Sequence, residues 1–329
     1  MQQFPPKMNG NLTDDEYRLC VRVALLYYEN NLTQNEIGEM LGYSRVKINR
    51  VLRQARDAGI VEICIHTPET DYYLLEDQLV MKYGLRDACI VQDADEGQEL
   101  YLTLARGAIG WLGSRLEPGM RIGLGLGRTI SHLPQVFQLE RQVNCTFTEV
   151  VGAASDFSGG ITSYNVISKL AELAGGNAEM FYAPMFVSNP ALKQVLYAEP
   201  SVTTALQRAR QCDIVLQSVG PVDKTALLYI HGHLSEQELE TLRENGAVGD
   251  ALGHYFNIHG ELVSYRMDDC LIGLDLKDLC KINWSVLIAG GMEKIRPIIG
   301  GLRGKYFNVL VTDRKTAIEL LKEENIHAE

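Results

Sequence analysis

The sequence predicts an α/β protein in two parts: a small all-α helix-turn-helix head followed by a doubly wound, mainly parallel α/β domain. Three observations lead there. Near the start, two helix-period segments with capping signals flank a short turn that contains Gly. After residue 84, short β-branched runs alternate with helix-period segments, the pattern of βα units. The charge is also divided: residues 1–66 carry eight Lys/Arg against eight Asp/Glu, so the net charge of −11 lies wholly in residues 67–329.

The 329 residues, 46% of them hydrophobic, leave room for two or three domains at roughly 150 residues each. No apolar run approaches the ~20 residues of a membrane helix. The start, MQQFPPKMNGNLTDDEY, has no apolar segment of the secretory type. Cys20, Cys64, Cys89, Cys145, Cys212, Cys270 and Cys280 are scattered without a CxxC pair, which reads as reduced thiols in a cytoplasm. An acidic body disfavours phosphate backbones, so the neutral head is the one candidate nucleic-acid surface.

In the head, Leu19, Val23, Leu26 and Tyr27 recur at helical spacing and predict a first helix over Asp14–Glu29. Thr33 heads T-Q-N-E, a capping box that opens a second helix with Ile37, Met40 and Leu41 on its buried side. Gly42 ends it, Ser44 caps a third helix, and Gly59 ends that one. On the third helix Ile48, Val51, Leu52 and Ala55 share one face. The other face holds Val46, Asn49, Arg50 and Arg53, flanked by Arg45 and Lys47. Between Ser44 and Arg56 there are five basic residues and no acid. Docked in a major groove, the N-terminal part of such a helix meets base edges. Arg45 and Arg50 suit guanine, Asn49 suits adenine, and the Val46 methyls suit thymine. Arg53 and Arg56 suit phosphates. Thr33 and Gln34 join the DNA-binding candidates. The plainer alternative is a solvated amphipathic helix in an unrelated cap.

GIVEICIH follows as a predicted short strand, and Pro68 marks the next helix start. Tyr72, Leu75 and Leu79 then form an apolar stripe that packs either on its own body or on a partner chain.

In the large domain the predicted strands are 88–91, 121–126, 145–151, 179–182, 214–219, 284–289 and 307–311. Predicted helices cover 96–116, 128–137, 161–173, 236–244, 293–302 and 314–322. Ligands of such sheets bind beyond the carboxyl ends of strands. IGLGLGRTI places Gly125 and Gly127 before Arg128 and Thr129 at a helix start, an arrangement that suits an anion or merely a tight βα turn. It lacks GxGxxG spacing, so a dinucleotide fold is not indicated. VVGAASDFSGG adds Gly152 and Ser155, and SVGPVD adds Gly220, each a candidate ligand loop or a plain surface loop. Asp250 either caps a short helical stretch or accepts hydrogen bonds from sugar hydroxyls. LIAGGMEK places Gly290 and Gly291 at a strand end and Lys294 in a first helical turn, where the lysine either pairs with a phosphate or has no special role.

His231 and His233, read as strand neighbours, lack a third ligand, so no metal is expected. No cofactor is expected either, and no catalytic residue is assigned. A sugar-phosphate isomerase or deaminase is the alternative function. Asp250, Glu293 and Lys294 offer acid–base groups for it, but nothing in the sequence brings two of them to one carbon.

The segment ALLYYENNLTQNEIGEMLGYSRVKINRVLRQARDAGIVEICI, continued by LLEDQLVMKYGLRDACIV, VGD, AGGMEK and GKYFNVLVTDRKTAIELL, resembles the SorC family of bacterial sugar-metabolism transcription regulators along nearly the whole chain. The resemblance implies a head that binds operator DNA and a larger domain, related to sugar-phosphate isomerases and deaminases, that senses a phosphorylated sugar, polyol or sugar acid. It favours Asp250 as an effector ligand and implies a homo-oligomer, a tetramer. Gly-Arg-Thr in the first loop stands where relatives vary, so the effector stays open. The expected division is 1–66 for the head, 67–84 for a connector helix and 85–329 for the effector domain, with cytoplasmic operator DNA and a small carbohydrate as partners and no membrane contact.

Overall fold

In the computed structural model of this chain the described residues are 12–62, 72–139, 141–153 and 162–323. They fall into two compact units, Met1–Thr70 and Asp71–Glu329.

In the first unit α1 (Asp14–Ala24) starts at a Thr13–Glu16 capping box. It passes into a π-helical turn, Leu25–Glu29, so the single helix expected over 14–29 has two windings. Asn30 N–H donates to Leu25 O at 3.1 Å, and this wider bond ends the helix. Helix α2 (Gln34–Leu41) is capped by Thr33, whose hydroxyl accepts from Glu36 N–H while the Glu36 carboxylate accepts from Thr33 N–H. It stops at Gly42 with φ +71°. Ser44 caps α3 (Arg45–Asp57). Cys20 and Val23 of α1, Ile37 of α2, and Ile48, Val51, Leu52 and Ala55 of α3 close one core. Beyond α3, Gly59–Glu62 form turn and bend rather than the start of a strand. The rest of that expected strand, and Pro68, lie outside the described residues.

The second unit begins with α4 (Tyr72–Tyr83), then β1 (Asp87–Val91), α5 (Gln98–Gly113), β2 (Arg121–Leu124), α6 (Arg128–Val136), β3 (Thr146–Glu149), α7 (Ser163–Ala174) and β4 (Asn177–Glu179). It continues through α8 (Pro190–Ala198), α9 (Pro200–Arg210), β5 (Ile214–Gln217), β6 (Gly220–Pro221), α10 (Leu227–Ile230), α11 (Glu236–Glu244), β7 (Ala247–Ala251), β8 (His254–Asn257) and β9 (Leu262–Val263). The last elements are α12 (Leu276–Leu279), β10 (Trp284–Ile288), α13 (Ile295–Arg303), β11 (Val309–Asp313) and α14 (Arg314–Lys322).

Seven strands make one sheet in the order β1-β11-β10-β5-β2-β3-β4, and every pairing in it is parallel. Alternate side chains enter opposite cores: Ile214 and Leu216 pack with α5–α7 on one face, and Val215 packs on the other. From β2 the chain progresses to β3 and β4 on one side. From β5 it progresses to β10 and β11 on the other. The order therefore reverses between β2 and β5, and a crevice opens beyond their carboxyl ends.

Four differences from the sequence reading bear on the site. First, residues 220–263 build a second, antiparallel sheet, β6-β7-β8-β9. Second, Asp250 lies on β7 opposite Gly220 rather than at a helix cap. The hairpin after it is Leu252-Gly253 with φ +54° and +82°, the left-handed pair of a two-residue turn, so the expected short helix does not form. Third, the edge strand is Asn177–Glu179, not 179–182, because Phe181 N–H leaves the ladder to donate to Glu149 Oε2 at 2.8 Å. Fourth, His231 caps α10 and His233 follows in a turn, so they are not strand neighbours.

Candidate functional site

Each unit carries its own candidate surface. In the head, the burial of Ile48, Val51, Leu52 and Ala55 turns the opposite side of α3 to solvent. Val46 is 79% exposed, and Arg45, Asn49, Arg50 and Arg53 are exposed beside it. Val46 is thus an exposed apolar group among cations at the start of the helix. The Lys47 ammonium sits 3.8 Å over the Tyr43 ring, which steadies it in the same face. Thr33, Gln34 and Arg45 line one shallow concavity with Tyr27, Tyr28 and Asn31. Thr33 and Ser44 also act as caps, so their hydroxyls hold the helices as well as facing outward.

In the second unit, a cleft of about 490 Å³, counted to its open mouth, lies beyond the ends of β2 and β5. Gly127 and Arg128 reach it from β2, Ser218 and Gly220 from β5, Asp250 from β7, and Lys294 from the 3-10 turn Met292–Lys294 after β10. The reversal of strand order draws these residues together from positions up to 167 apart in the chain.

Lys294 is 6% exposed. Burial pulls its ammonium down to about 8; Glu293 and Asp250 favour its charged form, and Arg128 opposes it. Burial likewise raises the Asp250 carboxyl to about 6, against the Gly253 N–H, His254 and Lys294. Among the described residues no hydrogen bond or ion pair joins the two. The cleft thus holds a half-buried acid and a buried base, both costly to charge. Ser218 Oγ, in the cleft, and Thr129 Oγ1, in the first turn of α6, are buried with no hydrogen-bond partner among the described residues. The Ser218 hydroxyl is therefore available to a polar group in the cleft.

Not every expected residue serves this cleft. Gly125 and Gly152 line a smaller neighbouring pocket with Glu149 and Ser163. The Gly125 amide is already used, donating to Leu216 O at 2.9 Å. Gly290 makes room for Asp313 and Gly291 for Glu293, and the Gly291 amide donates to Asp313 Oδ2 and Thr316 Oγ1. Both glycines therefore shape the turn, and the Gly291 amide is taken within it. One Arg128 donor is held by Thr225 O at 2.6 Å. Ser155 lies outside the described residues. The sequence reading missed Gln217, Ser218 and Thr225. Gln217 is 2% exposed and its Oε1 accepts from Leu126 N–H at 2.8 Å, which sets the loop after β2. A glutamine ending the apolar run IVLQ was the available signal.

Among the described residues, no helix is long and apolar enough to cross a membrane. None of their His, Cys, Asp and Glu groups gathers three ligands for a metal ion.

A helix-turn-helix head joined to an α/β domain with a polar ligand cleft defines a ligand-responsive transcriptional regulator. Comparison with known proteins agrees. Residues 68–322 match the family described as "Putative sugar-binding domain", and residues 18–69 match "Crp-like helix-turn-helix domain". The chain belongs to the SorC family of sugar-binding transcriptional regulators. It is 33% identical over 318 residues to the transcriptional regulator LsrR of Enterobacter sp. (strain 638), covering 94% of each chain. It is 32% identical over 320 residues to the sorbitol operon regulator of Klebsiella pneumoniae, covering 94% of this chain and 99% of that one. The crystal structure of full-length SorC from that organism superposes with a TM-score of 0.72 at 28% identity, over 94% of this chain and all of the other. These homologues are transcriptional regulators, not enzymes. This chain is accordingly a sugar-responsive regulator.

Proposed function

We propose that the protein controls a carbohydrate-utilisation operon from the cytoplasm, and that a phosphorylated sugar, polyol or sugar acid in the β2–β5 cleft sets its operator affinity. The observation that carries this reading is that the half-buried Asp250 and the buried Lys294 line one cleft with no hydrogen bond or ion pair between them. A phosphate suits Lys294 and the open amides at the start of α6, where Gly127, Arg128 and Thr129 stand. Hydroxyls suit Asp250 and Ser218. Names among the relatives, a sorbitol operon regulator and an erythritol catabolism regulatory protein, support a polyol-type effector. In the head, Arg45, Val46, Asn49 and Arg50 meet bases, while Lys47, Arg53, Thr33 and Gln34 meet the backbone. One small head reads one half-site, so a homo-oligomer, a tetramer in keeping with the family, reads a pseudo-palindrome. The test is binding of the full chain to the promoter DNA beside its own gene, with and without a panel of phosphosugars and phosphopolyols. Specific binding altered by one compound is expected. Absence of specific binding at low and moderate salt overturns the reading.

A further inference from the structure

Helix α14 bridges the turn that carries Lys294 and helix α4, two places that the sheet also connects through β10, β11 and β1. Its first turn is hydrogen-bonded to the turn that carries Lys294. Asp313, 4% exposed, caps the helix through Thr316 N–H at 2.9 Å and also accepts from Thr316 Oγ1 at 2.6 Å. The same Asp313–Thr316 pair takes the Gly291 amide, at 3.1 and 2.9 Å. Lys294 N–H in turn donates to Gly291 O at 3.0 Å. The turn that carries Lys294 is thus seated on the N-terminus of α14. A side chain on Gly290 would collide with Asp313, so the seat has no slack.

The far end of α14 is locked to α4. Lys82 Nζ donates to Leu320 O at 3.0 Å and Leu321 O at 3.1 Å, and also to Glu323 O. Tyr83 OH donates to Leu320 O at 3.0 Å. A cation on the last carbonyls of a helix satisfies acceptors that the helix leaves open and opposes its dipole. Lys82 accepts a cost for this place, since burial lowers its pKa, and burial pushes the Tyr83 hydroxyl up to about 12. Between the two ends, Ala317 and Leu320 are fully buried, so α14 moves as a packed rod.

We propose that α14 transmits the state of the Lys294 turn to α4, the first element of the second unit after the head in the chain. Asp313 and Thr316 are positioning residues at one end, and Lys82 and Tyr83 are the receivers at the other. The inference rests on the reading of the cleft as the effector site. A ligand that draws Lys294 re-seats Gly291, and with it the cap of α14. The C-terminal carbonyls then shift against Lys82. The bonds at the two ends, apart from the one to the exposed Glu323 O, join buried or half-buried groups, and packing links them along α14, so displacement passes along the rod instead of dissipating in solvent.

Amide hydrogen exchange on the full-length chain tests this without knowledge of the effector or the operator. Lys82→Met is expected to raise exchange at Gly291 and Thr316 by about tenfold, the scale of one lost charge-assisted hydrogen bond. Asp313→Asn is expected to do the same at residues 80–83. Lys82→Arg, which keeps a cation for the same carbonyls, restores protection at Gly291. Tyr83→Phe removes one hydroxyl and gives a smaller effect of the same sign. Protection of α7 checks that every variant is folded. Inorganic phosphate, added as the probe anion, is expected to slow exchange at 290–294 and at 80–83, the latter only while Lys82 is present. Effects confined to the perturbed end overturn the link, whether or not the promoter DNA is bound. Loss of promoter binding alone overturns the regulator reading and leaves the exchange result standing.

Discussion

Arg45 and Arg53 lie on the same exposed face of α3 but two turns apart, and the proposed docking assigns them different tasks. Arg45→Ala, at the end that enters the groove, is expected to weaken specific binding by about 1–3 kcal/mol and to relax one base preference. Arg53→Ala is expected to weaken binding to all sequences alike and to lower the slope of log affinity against log salt by about 1. Titration of both variants against promoter and scrambled DNA separates the two. In the cleft, Asp250 titrates near 6 and Lys294 near 8. Ligand affinity is expected to hold between those values, falling below about 6 as Asp250 gains a proton and above about 8 as Lys294 loses one. Without ligand both groups oppose folding near neutral pH. The raised Asp250 pKa contributes stability only below about 4, lost as pH rises through 6; the depressed Lys294 pKa contributes only above about 10.5, lost as pH falls through 8. Asp250→Asn is therefore expected to raise the thermal midpoint of the unliganded protein at pH 7 while abolishing ligand binding. An unchanged or lower midpoint would contradict this assignment of burial cost.

At the scale of elements, capping boxes and glycines marked the head closely. Thr33–Glu36 and Gly42 bound α2 where T-Q-N-E and the glycine placed it. The turn depends on one further glycine. A Cβ on Gly38 would stand 2.6 Å from Tyr43 O, closer than real atoms approach. Gly38→Ala is expected to cost the head about 1–3 kcal/mol through overpacking and to weaken promoter binding, with ligand affinity unchanged. Calorimetry of the full chain, alongside ligand titration, checks both. In the second unit, α11 and α14 appear at the residues expected, because each runs from a clear cap, Ser235 or Asp313, through one amphipathic stretch. The antiparallel sheet was illegible by comparison. Its strands are two to five residues long, too short for a period-2 pattern. Leu252-Gly253 hid the hairpin because leucine seldom takes φ +54°.

For the whole molecule, the division of charge sets how it meets DNA. With −11 carried by the part beyond the head, the basic face of α3 is the proposed meeting place with the DNA backbone, so affinity should fall steeply with salt. The two units also predict the form of thermal unfolding. A cognate phosphosugar at a hundredfold its Kd is expected to stabilise the second unit by about 2.7 kcal/mol and to leave the head transition in place. A scan in which both transitions shift together would contradict independent ligand binding by that unit.

Local pattern sufficed for the head, the βα alternation and the anion-suited loop after β2, since caps, periodicity and glycine punctuation act within a few residues. It also picked out Asp250 and Lys294 as candidates, though with bland alternatives equally open. Folding of the distant segments removed the helix-cap alternative for Asp250 by placing it on β7, and lined one cleft with both side chains. The reversal of strand order between β2 and β5 brings Arg128, Ser218, Asp250 and Lys294 to one cleft. Burial there perturbs the acid and the base that exposure would have left ordinary. It also set the amide of Gly291, an effector-site candidate in the sequence, on Asp313 and Thr316. No spacing in the chain encodes such meetings, because they depend on which strands are neighbours and on how much water is excluded when they pack.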